Sequence, residues 1–344
     1  MSAASRTGGV GAAWVAVRQP RIKIPSREGE ATYHCISRTV NGEWLLDDVA
    51  KEVLRRQLWQ VADYCGVQVL TYSILSNHFH VLVRVLQQQA LADGELLRRY
   101  RVLYPKPTRY QASCLAVIET GLARNDPEAM AWRQRQFALM GDVSQFMKLL
   151  KQRFSIWFNR THQRFGTLWA ERFKSVLVET ATGALQTMAA YIDLNSVRAG
   201  LVTDPKDYRF CGYAEAVAGN REAQEGIGAV LTGRGWSEVQ SQYRELLFGV
   251  GSSARARKAS LMAVNVQRVM AEGGKIPLAV VLRCRIRYFT DGAVLGSRGF
   301  VEIHLARYQE KTGRCERTRT RPMPSWVDWG DLATLRGLRQ QAIT

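Results

Sequence analysis

From Val67 to Val85 the chain is rich in Val, Leu and Ile, and the run is broken only at Ser76-Asn77. Such a stretch reads as a strand, a bend and a second strand, and it requires a sheet with neighbours to bury it. The second strand opens with His78-Phe79-His80 and continues as Val81-Leu82-Val83. Side chains two apart on a strand share a face, so both imidazoles are presented together while Phe79 packs on the other side. Two histidines so placed suit a divalent metal. They equally suit a half-buried strand in which each ring is simply hydrogen-bonded.

The flanking elements continue the pattern. Thr32, Tyr33, Cys35 and Ile36 predict a strand over Ala31 to Arg38, followed by the turn signal Asn41-Gly42. Val49, Val53, Leu54, Leu58, Val61 and Ala62 recur at helical spacing up to about Cys65, with Asp47 or Asp48 as N-cap and Gly66 as stop. Residues from about 90 to 142 are charged and punctuated by Pro105, Pro107, Gly121 and Pro127, which predicts an inserted helical excursion. Asp142 or Ser144 then caps a helix to about Arg160, whose apolar face carries Phe146, Leu149, Leu150, Phe154 and Trp157. Lys174 to Glu179 alternates as a strand, and Ala184 to Ala199 predicts a single helix ended by Gly200. After Tyr213 the pattern weakens into Gly-rich and charged residues up to about Lys275, and strong apolar content returns over 277–310. No internal repeat is visible. These alternating elements permit an α+β fold, a sheet with helices on one or both faces.

Charge points to the partner. Lys plus Arg total 48 against 30 for Asp plus Glu, a net charge of +18, in a chain that is 46% hydrophobic and therefore folded rather than a basic tail. A polyanion is the expected partner. No stretch reaches the roughly eighteen uninterrupted apolar residues of a membrane helix, and no signal-peptide pattern opens the sequence, so a cytoplasmic protein is expected. The six cysteines (Cys35, Cys65, Cys114, Cys211, Cys284, Cys315) are scattered without a CxxC pair and are expected to be reduced thiols.

Two further groups carry chemistry. Tyr191 and Asn195 lie four apart on the predicted helix, which places phenol and amide on one face, with Arg198 about a turn further on. An amide oxygen is a reasonable hard ligand and a tyrosine beside a metal can act as nucleophile, although a packed aromatic and a helix-end amide would look the same. The segment from Lys148 to Lys174 holds Lys148, Lys151, Arg153, Arg160, Arg164, Arg172 and Lys174 against the single acid Glu171. Phe154, Trp157, Phe158, Phe165, Trp169 and Phe173 are interleaved with them. Cations grip phosphates and rings stack on unpaired bases, so nucleic-acid contact is expected here; a solvated basic face over an aromatic core is the alternative.

Three separated segments, SNHFHVLV (76–83), FMKLLKQRFSIWFNRTHQRFGTLWAERFKSVLVE (146–179) and YIDLNSVRAGLV (191–202), resemble the single-tyrosine HUH transposases, specifically the REP-associated tyrosine transposases. CISRTVNGEW (35–44) and DYRFCGYAEA (207–216) fit the same pattern. The resemblance covers roughly residues 31 to 216, less the excursion, and implies a ferredoxin-like HUH domain, an antiparallel sheet flanked by helices with the histidines on a central strand facing the Tyr191 helix, and a C-terminal extension over 217–344. It implies that His78, His80 and Asn195 are ligands of Mg²⁺ or Mn²⁺ and that Tyr191 is the nucleophile of a single-stranded DNA endonuclease and strand transferase working through a 5′-phosphotyrosine link. The implied substrate is single-stranded DNA bearing a hairpin of the repetitive extragenic palindrome type.

Arg18, Arg21 and Lys23 in a loose basic arm over residues 1–30, the basic segment from Lys148 to Lys174 with Trp169, and Arg198 are the residues expected to hold that DNA. The extension includes RYFTDGAVLGSRGFVE (287–302), similar to tails of a longer subgroup of the family, and is expected to form either a second nucleic-acid-binding module or a helical cap over the sheet. A monomer is expected, a homodimer being the alternative. Two other functions compete: a hairpin-binding regulator descended from such enzymes that does not cut, and a histidine-triad or cupin-like metal site. The second of these needs another nearby histidine, and the next after His80 is His162.

Overall fold

The structure is a computed structural model of the chain and describes residues 21–87, 90–181, 183–231, 233–249, 281–282, 288–312, 320–323 and 329–336. Arg18 lies outside these residues. At the centre is a sheet whose first four strands are β1 (Ala31–Arg38), β2 (Val67–Ile74), β3 (His78–Val85) and β4 (Lys174–Val178). They stand in the order β2-β3-β1-β4, with every neighbouring pair antiparallel. With α1 (Asp48–Cys65) between β1 and β2 and α5 (Val143–Thr161) between β3 and β4, this is the βαββαβ arrangement of a ferredoxin-like unit.

The local chemistry explains the boundaries. Asp47 accepts from the Ala50 N–H (2.7 Å) to cap α1, and Gly66, at φ +63°, supplies the left-handed residue that ends it. Asp142 accepts from the N–H groups of Ser144 (2.7 Å) and Gln145 (3.0 Å) to start α5. The excursion is helical, as its composition predicts: α2 (Asp93–Leu103), α3 (Arg109–Ala123) and α4 (Pro127–Phe137). It is tied to the first layer through Arg98, which bonds Asp63 of α1 (2.6 Å), and through Arg153 of α5, which donates to the Leu103 carbonyl (2.8 Å).

Two layers cover the sheet. Helices α1 and α5 lie on one face, where Phe79 of β3 meets Trp169 (5.6 Å between ring centroids) and Trp169 meets Phe154 of α5 (5.8 Å). Phe146, Leu150, Phe154 and Phe158, spaced by four, are all buried. The other face is covered by α6 (Gly183–Asp193) and α7 (Asn195–Arg198). The single helix predicted over 184–199 is interrupted at Leu194, whose ψ of 1° departs from helical geometry, and Gly200 ends it at φ +70° as expected.

The last residue of α6 locks this layer down. Asp193 is buried and accepts from Thr71 of β2 (2.8 Å), from the Tyr213 N–H (3.2 Å) and from Tyr243 (2.5 Å). Burial pushes its carboxyl up to about 7, with the three donors holding it back from rising further. Tyr213 belongs to α8 (Gly212–Val217) and Tyr243 to α10 (Trp236–Phe248), with α9 (Arg221–Gly228) between them. One carboxyl therefore joins a strand and three helices. Gly212 permits this approach, since a Cβ there would collide with Thr71.

The described part of the extension continues the sheet. β5 (Gly292–Ser297) pairs parallel with β4, and β7 (Leu332–Arg336) and β6 (Thr320–Pro322) follow antiparallel. The result is a seven-stranded, mostly antiparallel open sheet in the order β2-β3-β1-β4-β5-β7-β6, flanked by helices that include α11 (Tyr288–Asp291) and α12 (Arg298–Thr312). Cys35, Cys65, Cys114 and Cys211 are all free thiols; Cys284 and Cys315 lie outside the described residues. No helix among the described residues is long and apolar enough to cross a membrane.

Candidate active site

Register places the chemistry on the face under α6. Arg38 of β1 lies opposite His78 and Ile36 opposite His80, so His34, Ile36 and Arg38 share a face with both histidines of β3. His34 is fully buried, and its Nε2 stands 2.8 Å from Nδ1 of His80. Its own Nδ1 stands 3.0 Å from the main-chain carbonyl of Phe289 on α11. His78 is half-buried, its ring 5.1 Å from that of His80 and its Nδ1 2.6 Å from the side-chain oxygen of Asn77. Burial draws His34 down to about 3 and, helped by the neighbouring His34 and His78, takes His80 well below the usual imidazole range. Both rings are neutral at physiological pH, the form in which imidazole binds a metal.

Tyr191, on the underside of α6, completes the cluster. Its ring centroid is 6.3 Å from those of His34 and His80, with both contacts edge-on. Arg198 lies over the tyrosine ring at 4.0 Å and donates to the carbonyls of Tyr191 and Leu282 (2.7 Å each). Phe289 packs on the same tyrosine at 4.8 Å, and Tyr191 is 3% exposed. Asn195 is buried, and its Nδ2 donates to the carbonyls of Ile192 (3.0 Å) and Tyr191 (3.3 Å). That leaves Oδ1 as the atom able to act as a ligand, and it makes no hydrogen bond with either histidine among the described residues.

The predicted site thus assembles in part: His78, His80, Tyr191 and Arg198 come together, joined by the unforeseen His34. No group of three His, Cys, Asp or Glu able to hold a metal occurs among the described residues. A metal here would rest on the two imidazoles of β3 and the amide oxygen of Asn195, a mixed set in which the imidazoles suit zinc, iron and nickel and the carbonyl-type oxygen suits Mg²⁺ and Mn²⁺. The donor atoms fit: with Nδ1 of His80 engaged by His34, its Nε2 makes no hydrogen bond among the described residues.

The residues expected to hold DNA are more dispersed. Lys148, Arg160 and Arg172 are exposed. Arg21 stacks on Phe173 (3.7 Å) and donates to its carbonyl, and Lys23 pairs with Asp142 at 2.5 Å. Lys151 donates to the Glu171 carbonyl (2.8 Å), and burial, with Arg21 nearby, draws its ammonium down to about 8. Arg153 lies over Tyr104, Arg164 is half-buried and Lys174 pairs with Glu171 at 3.2 Å. Of the six interleaved rings, Phe154, Phe158, Trp169 and Phe173 are buried, so the alternative of a basic face over an aromatic core describes most of this segment. Trp157 is half-buried, and Phe165, at 96% exposure, is the ring of the six that is open to a base.

A second exposed ring was not singled out from the sequence. Trp44 is 82% exposed on the loop after β1. That loop is fixed beside His78: the Thr39 hydroxyl donates toward the carbonyls of Glu43 (2.7 Å) and Asn77 (3.0 Å), Asn77 Nδ2 donates to the Gly42 carbonyl (3.1 Å), and the Leu46 N–H donates to Ser76 (2.9 Å).

No known family model matches the chain, and no curated protein matches it. Among solved structures, one of a REP-associated tyrosine transposase bound to a REP hairpin is similar over 59% of this chain and 86% of that chain, at 14% identity and a TM-score of 0.34.

Proposed function

We propose that the protein is a metal-dependent endonuclease and strand transferase for single-stranded DNA at hairpin-forming repeats, with residues 31–216 as the catalytic unit. The observation that carries the reading is the meeting of His78, His80 and Tyr191 under α6, in the topology and motif order that the sequence resemblance implies. His78, His80 and Asn195 would hold Mg²⁺ or Mn²⁺, which when bound supplies charge to polarise the scissile phosphate. Tyr191 passes its hydroxyl proton to solvent water and its oxygen attacks phosphorus. The P–O3′ bond breaks, the 3′ oxygen leaves and takes up a proton, and a 5′-phosphotyrosine conserves the phosphodiester for rejoining. Arg198, 4.0 Å over the ring, holds the tyrosine in place by a cation–π contact.

The test is incubation of the purified protein with labelled single-stranded hairpin oligonucleotides from the repeats flanking its own gene, with Mn²⁺ or with EDTA. A covalent protein–DNA band that EDTA abolishes is expected. One observation favours a second reading, a hairpin-binding protein that does not cut: Tyr191 is 3% exposed beneath Phe289, and catalysis requires that cover to open. Tight hairpin binding with no covalent band under any metal would establish that reading instead.

Trp44 serves either reading as a stacking platform for an unpaired base, on the loop that is bonded to Asn77. It lines a cleft of about 550 Å³ whose acids are already engaged, Asp47 capping α1 and Asp48 pairing with Lys51 at 3.0 Å. Base stacking on an aromatic ring contributes about 1–3 kcal/mol, so Trp44→Ala is expected to weaken single-stranded DNA binding by about tenfold or more. The fold should be unaffected. Equilibrium binding of a fluorescent oligonucleotide, with a melting curve as control, measures both.

A further inference from the structure

We propose that His34 is a positioning residue that fixes the tautomer of His80, and that the main-chain carbonyl of Phe289, contributed by the C-terminal extension, fixes His34 in turn. A carbonyl oxygen can only accept, so the His34 Nδ1 that stands 3.0 Å from it carries the ring's proton. In the neutral ring the lone pair is then on Nε2, and the His80 Nδ1 facing it at 2.8 Å must be the donor. The remaining lone pair of His80 therefore sits on Nε2. The opposite assignment would set a lone pair of His34 against the Phe289 carbonyl. The same logic, with the Asn77 amide oxygen as acceptor 2.6 Å away, puts the lone pair of His78 on Nε2 as well.

The relay runs from a carbonyl outside the βαββαβ unit, through His34, to a histidine of β3. It gives the extension a role in the site that the motifs of β3 and α6 do not contain. A group that hydrogen-bonds the far nitrogen of a metal-binding histidine typically changes metal affinity by about 10–100-fold when removed. The inference rests on the metal-site reading above, and its two readouts separate failure of one from failure of the other.

The first readout needs no metal. Long-range ¹⁵N–¹H spectra of the metal-free, full-length protein are expected to show His80 protonated at Nδ1 and bare at Nε2; the reverse pattern would overturn the proposal. The second compares Mn²⁺ titrations of wild type, His34→Leu and His34→Gln. Gln offers an oxygen to His80 and an N–H₂ to Phe289, the same polarity as the imidazole, whereas Leu offers neither. Mn²⁺ affinity is expected to fall by about 10–100-fold in the Leu variant and to be restored in the Gln variant, with melting curves showing both folded. Equal affinity in wild type and His34→Leu, or no restoration by Gln, would overturn the role of His34. Absence of Mn²⁺ binding by a wild type that shows the expected His80 tautomer would overturn the metal-site reading alone.

Discussion

Replacing His80 with alanine is expected to abolish Mn²⁺ binding and to slow single-turnover strand cleavage by about three orders of magnitude or more. The expectation follows from what the residue does at both ends of its ring: Nε2 is the proposed ligand atom, and Nδ1 meets His34 at 2.8 Å. Lewis-acid stabilisation of a developing phosphoryl charge is worth several kcal/mol, and each 1.4 kcal/mol or so is tenfold in rate. His78→Ala should act in the same direction, and EDTA treatment of the wild type should match both. Hairpin binding should survive, because the exposed cations Lys148 and Arg160 are carried by α5, on the sheet face opposite the histidines. Cleavage within a few fold of wild type in His80→Ala would remove the metal from the mechanism.

Asp193→Ala is expected to cost the fold roughly 3–5 kcal/mol, a large part of the stability of an ordinary domain. The substitution strands three donors at once, the Thr71 hydroxyl, the Tyr213 N–H and the Tyr243 hydroxyl, in a buried place that water does not reach. Each unpaired buried donor costs about 1–3 kcal/mol. Asn should cost less, since its oxygen can keep the Tyr213 N–H while its N–H₂ donates to a hydroxyl that turns to accept. Denaturant unfolding followed by circular dichroism reads the difference. A loss below about 1 kcal/mol for the Ala variant would mean that α6 is held by apolar packing alone.

Much of this architecture is written in local sequence. The caps at Asp47 and Asp142, the stop at Gly66, the bend at Ser76-Asn77 and the alternation around Phe79 are short-range signals, and each appears where it is expected. His34 is different. It sits in a predicted strand beside stronger β-formers, and its importance comes from the β1–β3 register, which pairs residues more than forty apart. Local pattern does not carry that number.

The aromatics of α5 and the following loop show a second limit. Their density suggested rings for bases, yet the spacing of Phe146, Leu150, Phe154 and Phe158 is that of a buried stripe, and the structure buries all four. Trp44, 82% exposed, stands in a loop where no periodicity marks it. Asp193 reads as one acid in an apolar helix, and its partners come from β2, α8 and α10. The weak pattern after Tyr213 covers α8, α9 and α10, two of them under ten residues long, while the strands further on join the sheet by long-range pairing, β5 with β4 and then β7 and β6 in turn.

The proposed reaction turns on a covalent bond between Tyr191 and DNA. The direct measurement is mass-spectrometric mapping of the protein–DNA adduct formed with a hairpin oligonucleotide and Mn²⁺, in wild type and in Tyr191→Phe. A phosphodiester on Tyr191 to the 5′ end of the cleaved strand is expected, and none in the variant, whose hairpin affinity stays within about twofold of wild type because the hydroxyl is the only group lost. An adduct on another residue, or one that persists in Tyr191→Phe, would contradict it.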